Sequence, residues 1–273
     1  MALGLIAIFF TTSGADSGGV AAAATSAGQF HVQCLGPVLS QSVDPIMRAA
    51  SHKHEFYGSR AISLNATYQD LRAGSSACAT PTHLGDEPGD TASYWAPTLY
   101  VSGVRLPVPK STFYYTGGEK RPPLTTWPAR LKIIAGNAKA TTPQSKEVVY
   151  WGCGSGSSAT KVTTPPQCSS GDTGLTLHVN FPDCWNGRDL DSFDHKSHMA
   201  YSKNRACPAS HAVSLPRLIA RFQWTDKHPS PVSLSLSSGS TNTFHADWWN
   251  SWDQTRLAKL VDKCINAGLD CKL

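Results

Sequence analysis

Long basic runs are missing from this chain. Its 24 lysines and arginines outnumber its 19 acidic residues, yet nowhere do five of them stand together. A net charge of +5 spread in this way excludes the concentrated cationic track that nucleic acid requires. No apolar stretch approaches the roughly 18 residues that a membrane-spanning helix needs, so no integral span is expected. Three short motifs are absent as well: C-x-x-C, H-E-x-x-H and G-x-S-x-G. With them go the paired-cysteine zinc sites, the familiar zinc proteases and the hydrolases built on a strained serine turn. The neighbours Ser51-His52, Ser197-His198 and Ser210-His211 do not replace that turn, because folding, not adjacency, brings a nucleophile to its base. No internal repeat is found, and the sequence reads as one monomeric unit.

The basic residue that usually precedes a signal peptide's apolar stretch is also lacking, but the stretch itself is present at Leu3 to Phe10. A Ser/Gly-rich segment follows, and Ala21 to Ala24 supplies an Ala-x-Ala cleavage pattern. Residues 1–27 are therefore expected to be a signal peptide, cut between Ala24 and Ala27, and 28–273 one secreted, β-rich domain. Eight cysteines, an even number, fit an oxidising exterior. Proximity favours Cys153 with Cys168, Cys184 with Cys207 and Cys264 with Cys271, which leaves Cys34 for Cys78. A chain of this length buries enough surface for these bonds to supplement its core instead of replacing it.

Short segments rich in β-formers recur between Gly, Pro and Ser: Tyr94 to Val101, Thr112 to Tyr115, Leu131 to Ala135, Val148 to Trp151, Leu175 to Phe181, Leu218 to Trp224 and Val232 to Leu236. Several alternate apolar with polar residues, which places one face in a core and the other in water. The expected fold is mainly β, a single antiparallel sandwich or jelly roll with long loops. One segment departs from it. Leu257, Leu260, Val261, Cys264 and Ile265 fall at helical spacing, so Ser251 to Ala267 reads as a C-terminal helix with a Ser251/Gln254 capping box and Gly268 as its stop.

Three clusters could carry chemistry. In the first, Asp44 precedes His52 and His54, and on a strand the period of two puts both imidazoles on one face, about 7 Å apart. That spacing suits two metal ligands or an acid/base pair. The second lies between Cys184 and Cys207 and mixes Trp185, Asp194, His195, Lys196, His198 and Tyr201, a costly combination to order in a plain solvated loop. In the third, His245 and Asp247 share a face if extended, Trp248 and Trp249 offer the flat apolar surface on which sugars stack, and Trp252 opens the helix as a core residue.

Asp44-Pro45-Ile46, Ser51-His-x-His54, Tyr94-Trp95-x-Pro97, Phe181-Pro-x-Cys-Trp185, Asp194-His-Lys-Ser-His-Met-Ala-Tyr201 and Cys207-Pro208 occur in that order. Together they resemble a secreted family of fungi and bacteria, numbered nineteen ninety-six among the domains of unknown function, across roughly Phe30 to Trp252. The string from Asp194 to Tyr201 is the most specific part. Members are often attached to carbohydrate-binding modules, so the resemblance implies a polysaccharide-rich setting and no particular reaction.

The leading expectation is an enzyme acting on extracellular or cell-wall polysaccharide, with catalysis drawn from Asp44, His52, His54, Asp194, His195, His198, Tyr201, His245 and Asp247. Trp95, Trp185, Lys196 and Trp248 are the expected substrate contacts. Hydrolysis of a glycosidic bond needs a proton donor at the leaving oxygen and a second group that activates water. A lyase needs instead a base such as His or Tyr201, with Lys196 to neutralise a sugar carboxylate. A second expectation is a divalent-metal enzyme, since His52, His54, His195, His198, His211 and His245 all lie near these motifs and imidazole suits zinc or copper. The third is a noncatalytic carbohydrate-binding protein with tryptophan platforms.

Overall fold

A computed structural model of the chain describes residues 28–80, 90–106, 108–120, 122–154, 161–169, 171–225 and 233–272. The expected signal peptide and Val232 lie outside them. Two antiparallel sheets are stacked face to face. The first runs in the order Val149–Cys153, Leu175–Asn180, Arg217–Gln223, Lys110–Thr116, Gln29–Cys34 and Asp270–Cys271. Its last pair is parallel, with Gln29 opposite Asp270. The second runs Leu39–Asp44, Ala49–Gly58, Ser93–Pro97, His245–Trp249 and Lys132–Gly136. Two small three-stranded sheets flank this pair. Among the described residues no helix is long and apolar enough to cross a membrane.

Alternation along the strands decides which side chains fill the sandwich. Phe30, Phe113, Phe222, Leu177 and Trp151 point inward from the first sheet and meet Tyr57, Tyr94, Ile133 and Trp248 from the second. Tyr94 stacks on Phe113 with ring centroids 3.7 Å apart, which is direct contact between the layers. Each of these side chains contributes roughly 1.5–3 kcal/mol by leaving water.

The alternate residues of the second sheet point outward, yet several are buried too. Phe56, Trp95 and Trp249 form a second apolar cluster with Ile46, Ile62, Ala66 and Leu71, which come from the turn after Asp44 and from the segment around the short helix Tyr68–Ala73. Part of the outer face is thus roofed over. Burial corrects the expected role of two tryptophans. Trp95 and Trp248 are fully buried, one under the roof and one between the sheets, so neither offers a platform to a sugar.

The segment 94–101 is two strands, not one. After Pro97 the chain leaves the second sheet, Thr98 bonds Lys53 and Ser237, and Leu99–Val101 joins a small sheet. The C-terminal helix starts at Gln254, and its cap is Asp253, whose carboxylate accepts from the Arg256 amide. Ser251 is unavailable as a cap because it is buried and donates its hydroxyl to Thr91. Leu257, Leu260, Val261, Cys264 and Ile265 form the buried stripe, and Gly268 ends the helix with φ +72°. The disulfides are Cys34–Cys78, Cys153–Cys168, Cys184–Cys207 and Cys264–Cys271. Such crosslinks are compatible with an extracellular protein.

Candidate metal centre

The unroofed part of the outer face carries the histidines. His52 and His54 sit two residues apart on Ala49–Gly58, and His245 and Asp247 do the same on His245–Trp249. Ser93–Pro97 lies between the two strands, with Trp95 directly opposite Asp247. On the other side of His245, Gly136 is its cross-strand partner. Gly136 has φ +83°, and a Cβ there would stand 2.6 Å from the Phe244 carbonyl oxygen. Glycine is what lets this edge strand approach His245 so closely.

Three ring nitrogens converge. His245 Nε2 lies 3.2 Å from His52 Nε2 and 3.4 Å from His54 Nε2, and one ligand atom from each ring falls within 4.8 Å of the other two. The remaining nitrogens fix the tautomers. His54 Nδ1 is 2.8 Å from the Val43 carbonyl oxygen and His245 Nδ1 is 2.9 Å from that of Thr243. A carbonyl only accepts, so both Nδ1 atoms carry the proton and both Nε2 atoms present lone pairs. His52 can donate one proton to His245, and that still leaves His54 facing a lone pair. Protonating the rings does not relieve this near neutral pH. Burial and the neighbouring imidazoles push His54 down to about 2, burial pushes His245 down to about 3, and burial lowers His52.

A metal ion fits where a proton does not. A tetrahedral ion with bonds of about 2.0–2.1 Å sets its ligand nitrogens about 3.3–3.4 Å apart, close to the two separations from His245, while the third pair lies within 4.8 Å. The carbonyl bonds to Nδ1 are the outer contacts that hold metal-binding histidines in their ligating tautomer. His54 and His245 are buried and His52 is half-buried, so the cluster reaches solvent on the His52 side.

Two carboxyls complete the surroundings. Asp247 is fully buried and neither oxygen has a hydrogen-bond partner among the described residues. Burial and the nearby Asp44 push its carboxyl far up, and Lys196 opposes them. Asp44 is also buried; burial raises it while the Ile46 and Met47 amides, both bonded to Oδ1, pull it down. These amide bonds form the turn that Asp44-Pro45 initiates.

The second cluster contributes a rim. Its loop runs beside Lys132–Gly136: Lys132 donates its amide to Leu190 and its ammonium to Asp191, and Lys196 donates to the Gly136 carbonyl. His195 bonds Asp191 at 2.7 Å, in a left-handed conformation with φ +58°. His198 is occupied elsewhere: it is buried, and its two nitrogens bond Ser192 and the Lys132 carbonyl. Asp194 is exposed and accepts from Ser192 and from the amides of Lys196 and Ser197, which hold its carboxyl low. Tyr201 donates to the Asn180 carbonyl, and half-buried Trp185 donates to Asp189. The structure therefore gathers His52, His54 and His245 with Asp44, Asp247 and Lys196 around them, while His198, Asp194, Tyr201 and Trp185 shape or support the loop.

Residues 43–252 match a family described as Domain of unknown function (DUF1996). The chain belongs to this family. The match takes in every residue of the histidine face, from the Val43 carbonyl to Asp247. No curated protein and no solved structure matches the chain.

Sequence reasoning missed the residues that define the centre's geometry. The Val43 and Thr243 carbonyls and Gly136 carry no chemical signature of their own. Only Gly136, at the end of an apolar strand, offered a cue to close backbone approach.

Proposed function

We propose that this protein is a secreted, metal-dependent enzyme that hydrolyses extracellular polysaccharide. The observation that carries this reading is the facing of the His54 and His245 lone pairs in a buried, proton-poor setting. His52, His54 and His245 would hold a divalent first-row ion, for which three imidazoles and an open position are a known catalytic arrangement. Asp247 and Asp44 supply the opposing negative charge, and a dication beside Asp247 offsets the cost of burying that carboxylate. Bound there, such an ion would supply acidified water for hydrolysis of the glycosidic bond. Hydrolysis would balance with water alone: its hydroxyl would go to the sugar carbon and its proton to the departing sugar oxygen. The four disulfides and the apolar leader support export, and the polar rim supports a hydroxyl-rich substrate.

The test combines metal and substrate. Zinc, copper and manganese are titrated calorimetrically into chelator-stripped protein, and the same samples are offered a polysaccharide panel while reducing ends and unsaturated-product absorbance are followed. One of these ions binds in a 1:1 ratio, His54→Ala weakens it at least about 100-fold, and new reducing ends require it. Activity that survives chelation together with His54→Ala would sink the proposal.

A further inference from the structure

Beside the histidine face, on the side of the edge strand, lies a groove of about 270 Å³. Its walls include Ile134, Val148, Asn137, Gln144, Lys196 and Tyr201. Two features tie it to the centre. Ile134 and Gly136, both in the lining, are the cross-strand partners of Asp247 and His245. Lys196 also stands close enough to both Asp247 and His245 to act on their charge states.

The lining is selective in its charge. Lys196 is its one charged group among the described residues, and no carboxylate lines the groove. Apolar surface from Ile134 and Val148 forms much of the rest, the pattern of a small-ligand site with a few placed polar groups. Free donors can be assigned. Both Gln144 amide protons go to the Asn242 and Phe244 carbonyls, and Tyr201 donates to Asn180. Asn137 accepts from the Lys139 amide through Oδ1, which leaves its NH₂ group for a ligand. The Lys196 ammonium has three protons, and the Gly136 carbonyl takes one. It makes no ion pair within 4.0 Å among the described residues. An ammonium and an amide NH₂ over apolar walls match a group that is anionic on one edge and carries a C–H face.

We infer that this groove is a subsite for a uronic-acid residue, whose carboxylate is bound by Lys196 and Asn137. The inference rests on the proposed function for its setting and adds the substrate class: an acidic glycan, with a charged sugar held next to the metal centre. A charge-assisted pair of this kind separates acidic from neutral sugars by about tenfold or more.

The test is calorimetric binding of an oligogalacturonate and of a neutral oligosaccharide of equal length to the full chain. The acidic oligomer binds about tenfold tighter, added salt narrows the gap, Lys196→Gln abolishes it and Lys196→Arg keeps most of it. Asn137→Asp, which places a like charge in the groove, weakens the acidic oligomer and spares the neutral one. Equal binding of the two oligomers by the unaltered protein, or an unchanged preference in Lys196→Gln, would overturn the inference. Zinc titration of the same samples separates the two claims. A protein that prefers the uronate but binds no metal keeps the subsite and loses the metal-dependent reading. Tight metal binding without the preference does the reverse.

Discussion

Two buried polar groups lie on opposite sides of the second sheet and are treated in opposite ways. Between the sheets, Trp252 donates to the Tyr115 oxygen, the Tyr115 and Tyr94 hydroxyls bond each other, and Tyr94 donates to Asp90, whose other oxygen accepts from the Ala92 amide. Every member has a partner. On the outer face, two imidazoles point lone pairs at each other and Asp247 has no hydrogen-bond partner among the described residues. Buried polar groups are satisfied almost everywhere in folded proteins, because each orphan forfeits its bonds to water. The inner chain can be understood as part of the scaffold. The outer cluster leaves lone pairs and a carboxyl that a further component could engage.

That contrast can be broken by experiment. The largest effect on stability is expected inside the sandwich. Tyr115→Phe removes the hydroxyl that serves both Trp252 and Tyr94, and it lowers the unfolding free energy by about 1–3 kcal/mol in a urea titration while metal affinity stays unchanged. An unshifted midpoint would mean the inner network is not structural. Asp247→Asn has a smaller effect in metal-free protein, within about 1 kcal/mol, since no hydrogen bond is lost. The same variant weakens metal binding by about 10–100-fold, the usual cost of altering a group just outside the ligands. A large loss of metal-free stability would show that Asp247 already has a structural partner.

The last effect is a slope. Burial pushes Asp90 up to about 7, against the pull of its bonds from Tyr94 and Ala92. Between about pH 4 and 7 the folded chain therefore keeps a proton that the unfolded chain has released, and stability from this group falls as pH rises through that window. Denaturation midpoints of the unaltered protein minus those of Asp90→Asn should decline from pH 4 to 7 and then level off. A flat difference would mean that Asp90 titrates as an exposed carboxyl.

Much of the sandwich was legible, because alternation and cysteine order are local properties. The strands near Thr112, Leu131, Val148, Leu175 and Leu218 and the stripe Leu257 to Ile265 follow directly from spacing. Half of the site was legible for the same reason: His52 with His54, and His245 with Asp247, are each a matter of period two. Choosing His245 over His195 or His198 as the third imidazole was not, since that depends on which strands the topology sets side by side. Trp95 misled because an outward-facing residue is exposed only if nothing roofs it, and its roof comes from residues 46–71, whereas Trp248 faces inward between the sheets. Asp253 displaced Ser251 as the helix cap for a similar reason, since a distant partner, Thr91, claims the serine.

The parallel pairing of Gln29 with Asp270 has an architectural consequence. Both ends of the described chain emerge at one corner, in the layer opposite the histidines. Anything fused to either end is leashed from the layer opposite the histidines, so the histidine face stays clear of its tether.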